Sequence, residues 1–137
     1  MNPQYECEDI MEELLATVEQ TLIKKRDFQP IGAVKKQEGT IVLTSVNEEG
    51  PSDKHSVIGA LVRAYRQMAH RGEIKACGIA WKTAITGADG KKKDVIAISL
   101  EHRCGYSVIV GEPYKLTLFR KLKKEEIFSQ EGRHDVF

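Results

Sequence analysis

A short hairpin set between two helical stretches does most to limit what this chain can fold into. Residues 8–26 place Ile10, Leu14, Val18 and Leu22 on one stripe, widened by Met11 and Leu15, the spacing of an amphipathic helix. Acidic residues at its start and Lys24, Lys25 and Arg26 at its end suit the helix dipole. Pro30 ends any continuation. The period then changes. Residues 30–36 and 40–46 read as two strands joined by Gln37, Glu38 and Gly39, a glycine able to take the positive φ of a tight antiparallel turn. Asn47 to Pro51 is a loop, and Ser52 or Asp53 can cap a second helix. That helix runs to about Arg71, with Val57, Ile58, Leu61, Val62, Tyr65, Met68 and Ala69 on its buried side and Gly72 as its stop.

The rest of the chain reads as strands. Residues 74–86 are strand-like, and the small residues within Cys77–Ala80 would let a helix pack closely over them. Gly87–Gly90, followed by Lys91, Lys92 and Lys93, is an exposed hairpin tip. Residues 94–102 are β-branched and nearly all apolar at their centre, as a buried middle strand would be. Arg103–Gly105 turns the chain, and Tyr106–Val110 returns. Beyond Pro113 the alternation weakens. A strand passing into a short helix is expected there, with Ile127, Phe128, Val136 and Phe137 packing against the body. The order α-β-β-α-β-β-β plus an irregular C-terminal tail predicts an α/β fold: a single mixed β-sheet flanked by helices, in one domain over residues 1–137.

Composition limits the function classes. A formal charge of +1 gives no global field that favours nucleic acid or membrane. No apolar run approaches the ~20 residues of a membrane span, so neither a membrane nor nucleic acid is expected as a partner. Three cysteines without a CxxC, behind a polar Asn2-Pro3-Gln4 start, predict a reducing, cytoplasmic setting. Charge is unevenly placed, with acids crowding Glu6–Glu13 and lysines crowding 91–93 and 115–124. These runs read as solvated faces, the sharper alternative being a patch for phosphate or an acidic partner. In Tyr114–Lys121 rings mix with positive charge, as on some nucleic-acid surfaces. An edge strand guarded by lysines is the favoured reading.

Phe28, Pro30, Gly32, Ala33, Gly39, Asn47 and Glu48 are followed by His55-Ser56-Val57. In that order they resemble the opening of the cytidine deaminase-like superfamily, over roughly the first 80 residues. The family's second helix begins His/Cys-Ala-Glu. Zinc is held there by that first residue and by two cysteines of a Pro-Cys-x-x-Cys, while the glutamate shuttles protons. His55 matches the first ligand position. Val57 stands where the glutamate belongs and has no proton to give. No Pro-Cys-x-x-Cys exists, and Arg103-Cys104-Gly105-Tyr106-Ser107 is only a faint echo of it. A catalytic zinc needs three protein ligands, so no metal, cofactor or deaminase chemistry is expected. What the resemblance implies is a non-catalytic binding or regulatory protein. Its remnant pocket, near Asn47, Glu48 and His55, would take a nucleotide or another phosphate-bearing small molecule, helped by free helix N–H groups.

Two other readings stay open. The element order also resembles roadblock-type and profilin-like scaffolds, which implies a homodimeric protein-interaction module using the helix at 8–26 or the strand at 106–110. Alternatively, Cys104 and His102 lie two apart and could share a strand face as nucleophile and base in an unfamiliar enzyme. Glu101, His102 and Arg103 would then form an exposed acid/base cluster.

Overall fold

The computed structural model describes residues 2–45, 53–119 and 121–137. Asn47, Glu48 and Ser52 lie outside the described residues. The elements are α1 (Pro3–Lys25), β1 (Ile31–Lys36), β2 (Ile41–Ser45), α2 (Lys54–His70), β3 (Ile74–Thr86), β4 (Lys92–His102), β5 (Ser107–Leu116), β6 (Leu122–Lys124) and β7 (Phe128–Glu131). The strands form one sheet in the order β2-β1-β3-β4-β5-β6, and β7 also pairs with β5. The single sheet flanked by helices is present as expected, and each of its pairings is antiparallel.

Local chemistry explains most boundaries. The Asn2 side chain accepts the Gln4 N–H at 2.9 Å, and Pro3 sits in the first turn, where its missing N–H costs nothing. The first helix therefore begins five residues before the stripe at 8–26 suggests. Gly39, at φ +103°, turns the β1–β2 hairpin. Asp53 caps α2, its carboxylate accepting the Ser56 N–H at 2.7 Å.

The C-terminal segment departs from expectation. Among the described residues of 114–137 there is no helix. β5 runs through Pro113 and Tyr114 to Leu116, and the chain then turns back. The Thr117 N–H donates to the Lys121 carbonyl at 2.9 Å, and the Lys121 N–H donates to Thr117 Oγ1 at 3.1 Å. Leu118, which continues the alternation of Tyr114 and Leu116, and Phe119, which breaks it, are the apolar tip of this turn and not a helix face. Pro113 is tolerated inside β5 because it falls between the two outer pairings: β7 covers residues 108–111 and β6 covers 114–116. Strand 106–110, one of two expected dimer interfaces, thus lies inside the sheet with both edges used: Val108–Gly111 pair with β4 on one side and β7 on the other.

The two helices cover opposite faces. Ile10, Leu14, Val18 and Leu22 of α1 pack on Ala33, Ala76, Ala80, Ile96, Ile98 and Leu100. Burying each of these four aliphatic side chains stabilises by about 1.5–3 kcal/mol. Gly78 lies beneath Ile10 and Leu14, which allows the close helix approach that the small-residue run predicts. Val57, Leu61 and Tyr65 of α2 pack on the other face, against Val34, Cys77 and Ile79. Gly32 makes room there for the Tyr65 ring. α2 spans only the β1–β3 half of its face. The β4–β5 half is left to the chain end, where Val136 joins the α2-side core. No helix among the described residues is long and apolar enough to cross a membrane.

Candidate functional site

The half-covered face encloses a cavity of about 220 Å³. Strand residues Ile79, Trp81, Ser99 and Ile109 line it from the sheet, and Ile58 and Val62 from α2. Lys54 and His55, the first two residues of α2, stand at one side, and Arg133 and Asp135 of the chain end at another. The linings come from elements distant in sequence, and the sheet register aligns them. Trp81 pairs with Ala97 and Ile79 with Ser99, while Ser99 pairs in turn with Ile109.

The chain end is fastened over the cavity by a ladder of polar contacts. The Gly132 N–H donates to the Ser107 carbonyl at 3.1 Å. A Cβ at 132 would stand 2.7 Å from the Val108 backbone nitrogen, so only glycine permits this approach. Arg66 of α2 donates through Nε to the Asp135 carbonyl. The Val136 N–H donates to both oxygens of Glu101, at 3.1 and 3.2 Å. Glu101 is buried and also lines the cavity. A carboxylate accepts about four hydrogen bonds, so one N–H leaves acceptor capacity facing the cavity.

Of the residues expected to form a pocket, the structure brings His55 to this cavity, exposed at the start of α2. Helix N–H groups are less open to an anion than the sequence suggested. The Asp53 carboxylate already takes the Ser56 N–H, and that backbone hydrogen bond holds its pKa below the ordinary value. Val57 is buried and packs in the α2-side core.

The expected exposed cluster of Glu101, His102 and Arg103 is corrected in two ways. Glu101 and His102 are both buried, and as consecutive strand residues they face opposite sides of the sheet. His102 belongs to a buried ion network under the start of α1. Its Nε2 lies 3.2 Å from Glu6 Oε1, and its Nδ1 accepts the Cys104 N–H at 3.1 Å. Lys75 Nζ reaches Glu6 Oε2 at 2.6 Å, and Lys35 Nζ reaches Asp9 at 2.9 Å. Burial acts to raise the Glu6 pKa, but hydrogen bonds from Lys75 and His102 outweigh it and hold the carboxyl below its ordinary value. With both ring nitrogens engaged, His102 has none turned to the Cys104 thiol as a base. The backbone N–H accepted at Nδ1 places the ring proton on Nε2, where it is donated to Glu6.

Cys104 is exposed, in the turn beside Lys75 at the start of β3. Lys54, next to His55, donates instead to the Lys82 carbonyl toward the other end of β3. His55 and Cys104 therefore do not share a site. Burial pushes the Cys7 thiol up to about 12 and raises Cys77 well above its ordinary value. Among the described residues, no group of three or more His, Cys, Asp or Glu side chains is placed to hold a metal ion.

Sequence reasoning missed Trp81, Glu101, Arg133 and Asp135 as cavity residues. Trp81 carried a usable signal, as the one tryptophan of the chain in a strand of alternating pattern. Comparison with known proteins returned no match: no family model fits the chain, and no curated protein or solved structure is found similar to it.

Proposed function

We propose that this chain is a non-catalytic, cytoplasmic binding protein with a deaminase-like core, and that it takes a nucleobase or nucleoside in the cavity beside His55. One observation carries the reading: a closed-in cavity combines an indole wall, aliphatic sides and a buried carboxylate with acceptor capacity to spare. Trp81 offers a stacking face for a planar ring. Glu101 would accept from a ring N–H or amino group. Ser99 and Thr83 add hydroxyls, and Arg133 and His55 stand where a sugar or phosphate would emerge. Size favours the base over the whole nucleotide as the enclosed part, since 220 Å³ lies below the ~300–1,000 Å³ of drug-sized pockets. A core valine at position 57 supports binding without deamination, because an aliphatic group cannot carry the proton that the family's glutamate moves.

Trp81 is also the reporter. Titration with nucleobases, nucleosides and nucleotides is expected to change its emission saturably for an amino-bearing base or nucleoside, with matching heat in calorimetry. Ile109→Phe, which fills the cavity from β5 without adding a second indole, is expected to abolish the response. A panel in which no member gives a saturable signal overturns the proposal, as does ammonia release from any of them.

A further inference from the structure

The fold gathers at one end of the sheet three basic runs that are far apart in sequence. Lys92 at the start of β4 pairs with Thr86 at the end of β3, and Tyr114 near the end of β5 pairs with Asp94. The β3–β4 tip with Lys91–Lys93 and the β5–β6 turn with Lys115 and Lys121 therefore lie side by side. The end of α1, with Lys24, Lys25 and Arg26, joins them, and the Arg26 Nη1 donates to the Thr117 carbonyl at 3.2 Å. Between these parts lies an open basin of about 490 Å³, lined by Arg26, Lys82 and Lys91–Lys93 on one side and by Lys115 on the other. Acidic residues offset part of this charge: Asp89 and Asp94 also line the basin, Lys93 pairs with Glu125 at 3.0 Å and Lys82 with Asp27 at 3.5 Å, leaving the basic side chains in excess. Lys91, Lys92, Lys115 and Lys121 stand exposed around them. A chain of net charge +1 thus carries a basic pole. The acidic residues Glu8 and Asp9 lie toward the opposite end of α1.

At the rim of that pole, two large apolar side chains project into solvent. Leu118 is 90% exposed and Phe119 88% exposed, the highest values of the exposed large hydrophobic residues described. They are consecutive at the tip of a turn, so neither serves the core. We propose that this end of the molecule docks on an anionic lipid surface, with Leu118 and Phe119 entering the headgroup–acyl boundary and the surrounding lysines meeting the lipid phosphates and carboxylates. Charge complementarity and shape select this occupant. Apolar groups ringed by cations match the layered polarity of a lipid interface, apolar beneath and anionic above. Such contact needs no spanning segment. A nucleic-acid strand would use rings on which bases stack. Phe119 is the one such exposed ring among the described residues of this turn, its neighbour Leu118 offers none, and Tyr114 beside the basin is buried, so successive bases find no stacking platform.

Co-sedimentation with vesicles of about two parts phosphatidylcholine to one part phosphatidylserine, beside vesicles of phosphatidylcholine alone, tests this directly. Binding to the mixed vesicles is expected, falling with added salt. The double variant Leu118→Ser/Phe119→Ser is expected to lose about tenfold or more in affinity. The double variant Lys92→Glu/Lys115→Glu is expected to lose the preference for phosphatidylserine. These four side chains are exposed, so both variants are expected to unfold at the wild-type midpoint. Phe119→Trp is expected to shift its emission to the blue on mixed vesicles while Trp81, enclosed in the cavity, holds steady. Equal sedimentation of wild type and the Leu118/Phe119 variant overturns the proposal. So does failure to sediment with mixed vesicles, or retention of a single-stranded oligonucleotide in its place.

Discussion

Replacing Gly78 by alanine puts the packing of α1 on the sheet to a test of sign. In a strand, alanine is intrinsically better than glycine by about 0.5–1 kcal/mol, because the unfolded glycine is the more flexible. At this position the added Cβ would stand 2.8 Å from Ile10 Cγ2, 2.9 Å from Leu100 Cδ2 and 3.0 Å from Leu14 Cδ1. All three neighbours are at most 2% exposed and have no room to retreat. Over-packing of this kind costs about 1–3 kcal/mol. The middle of each range leaves Gly78→Ala destabilised by about 1 kcal/mol, against the intrinsic preference. Gly59, inside α2, is the control. A Cβ there meets only the tip of Arg63, at 3.3 Å, and a flexible guanidinium can move aside. Gly59→Ala should therefore stabilise by about 1 kcal/mol, the ordinary helix propensity gain. Urea unfolding followed by circular dichroism reads both as shifts of midpoint at unchanged slope. If Gly78→Ala were as stable as the wild type or more so, the close seating of α1 would be refuted.

Other expectations follow from the same geometry. Glu6→Gln leaves Lys75 without its buried counter-charge and should cost about 3 kcal/mol in denaturant unfolding. The folded Glu6 carboxyl lies below its ordinary value of 4.5, so the stability it contributes is full above that pH and is lost as pH falls through the lower, folded value. Wild type should weaken over that acid window, and Glu6→Gln should weaken less in a stability-against-pH series. Iodoacetamide should label only Cys104 in the native protein, since Cys7 and Cys77 are buried with thiols held protonated, and all three cysteines after unfolding, read by mass spectrometry. Deleting residues 132–137 should redden Trp81 emission by opening the cavity and lower stability by about 2 kcal/mol through lost Val136 burial.

How much of this fold could be read in advance depends on how local each cause is. The β1–β2 hairpin, α2 and β3 follow from signals within a few residues: a glycine turn, an aspartate cap, an alternating run. They appear where sequence places them, β3 at Ile74–Thr86 without displacement. The start of α1 was equally legible in Asn2-Pro3, a cap followed by a first-turn proline, although the apolar stripe itself begins only at Ile10. The tail is a different case. β6 and β7 contain three and four residues, too short for a periodic signal, and exist because β5 offers them an edge. Tertiary pairing of that kind leaves no mark in local propensity.

The cavity shows the same limit in sharper form. His55 was legible because a resemblance pointed at one helix start, whereas Glu101 was misjudged because a charged residue near a strand end is ordinarily solvated. Its burial depends on Val136, thirty-five positions later, whose N–H meets both carboxylate oxygens. That N–H arrives only if the chain end runs back along β5, and the run needs glycine at 132 to pass the Ser107–Val108 backbone. Each link is simple chemistry, yet the first is intelligible only once the last is in place. A carboxylate is costly to bury without donors, and this one is turned toward a cavity with acceptor capacity beyond its single backbone partner. On the proposed function, a ligand N–H would take up that remaining acceptor capacity. The tail closes the cavity and supplies the donor to Glu101, so on the proposed function ligand affinity and tail docking should rise and fall together.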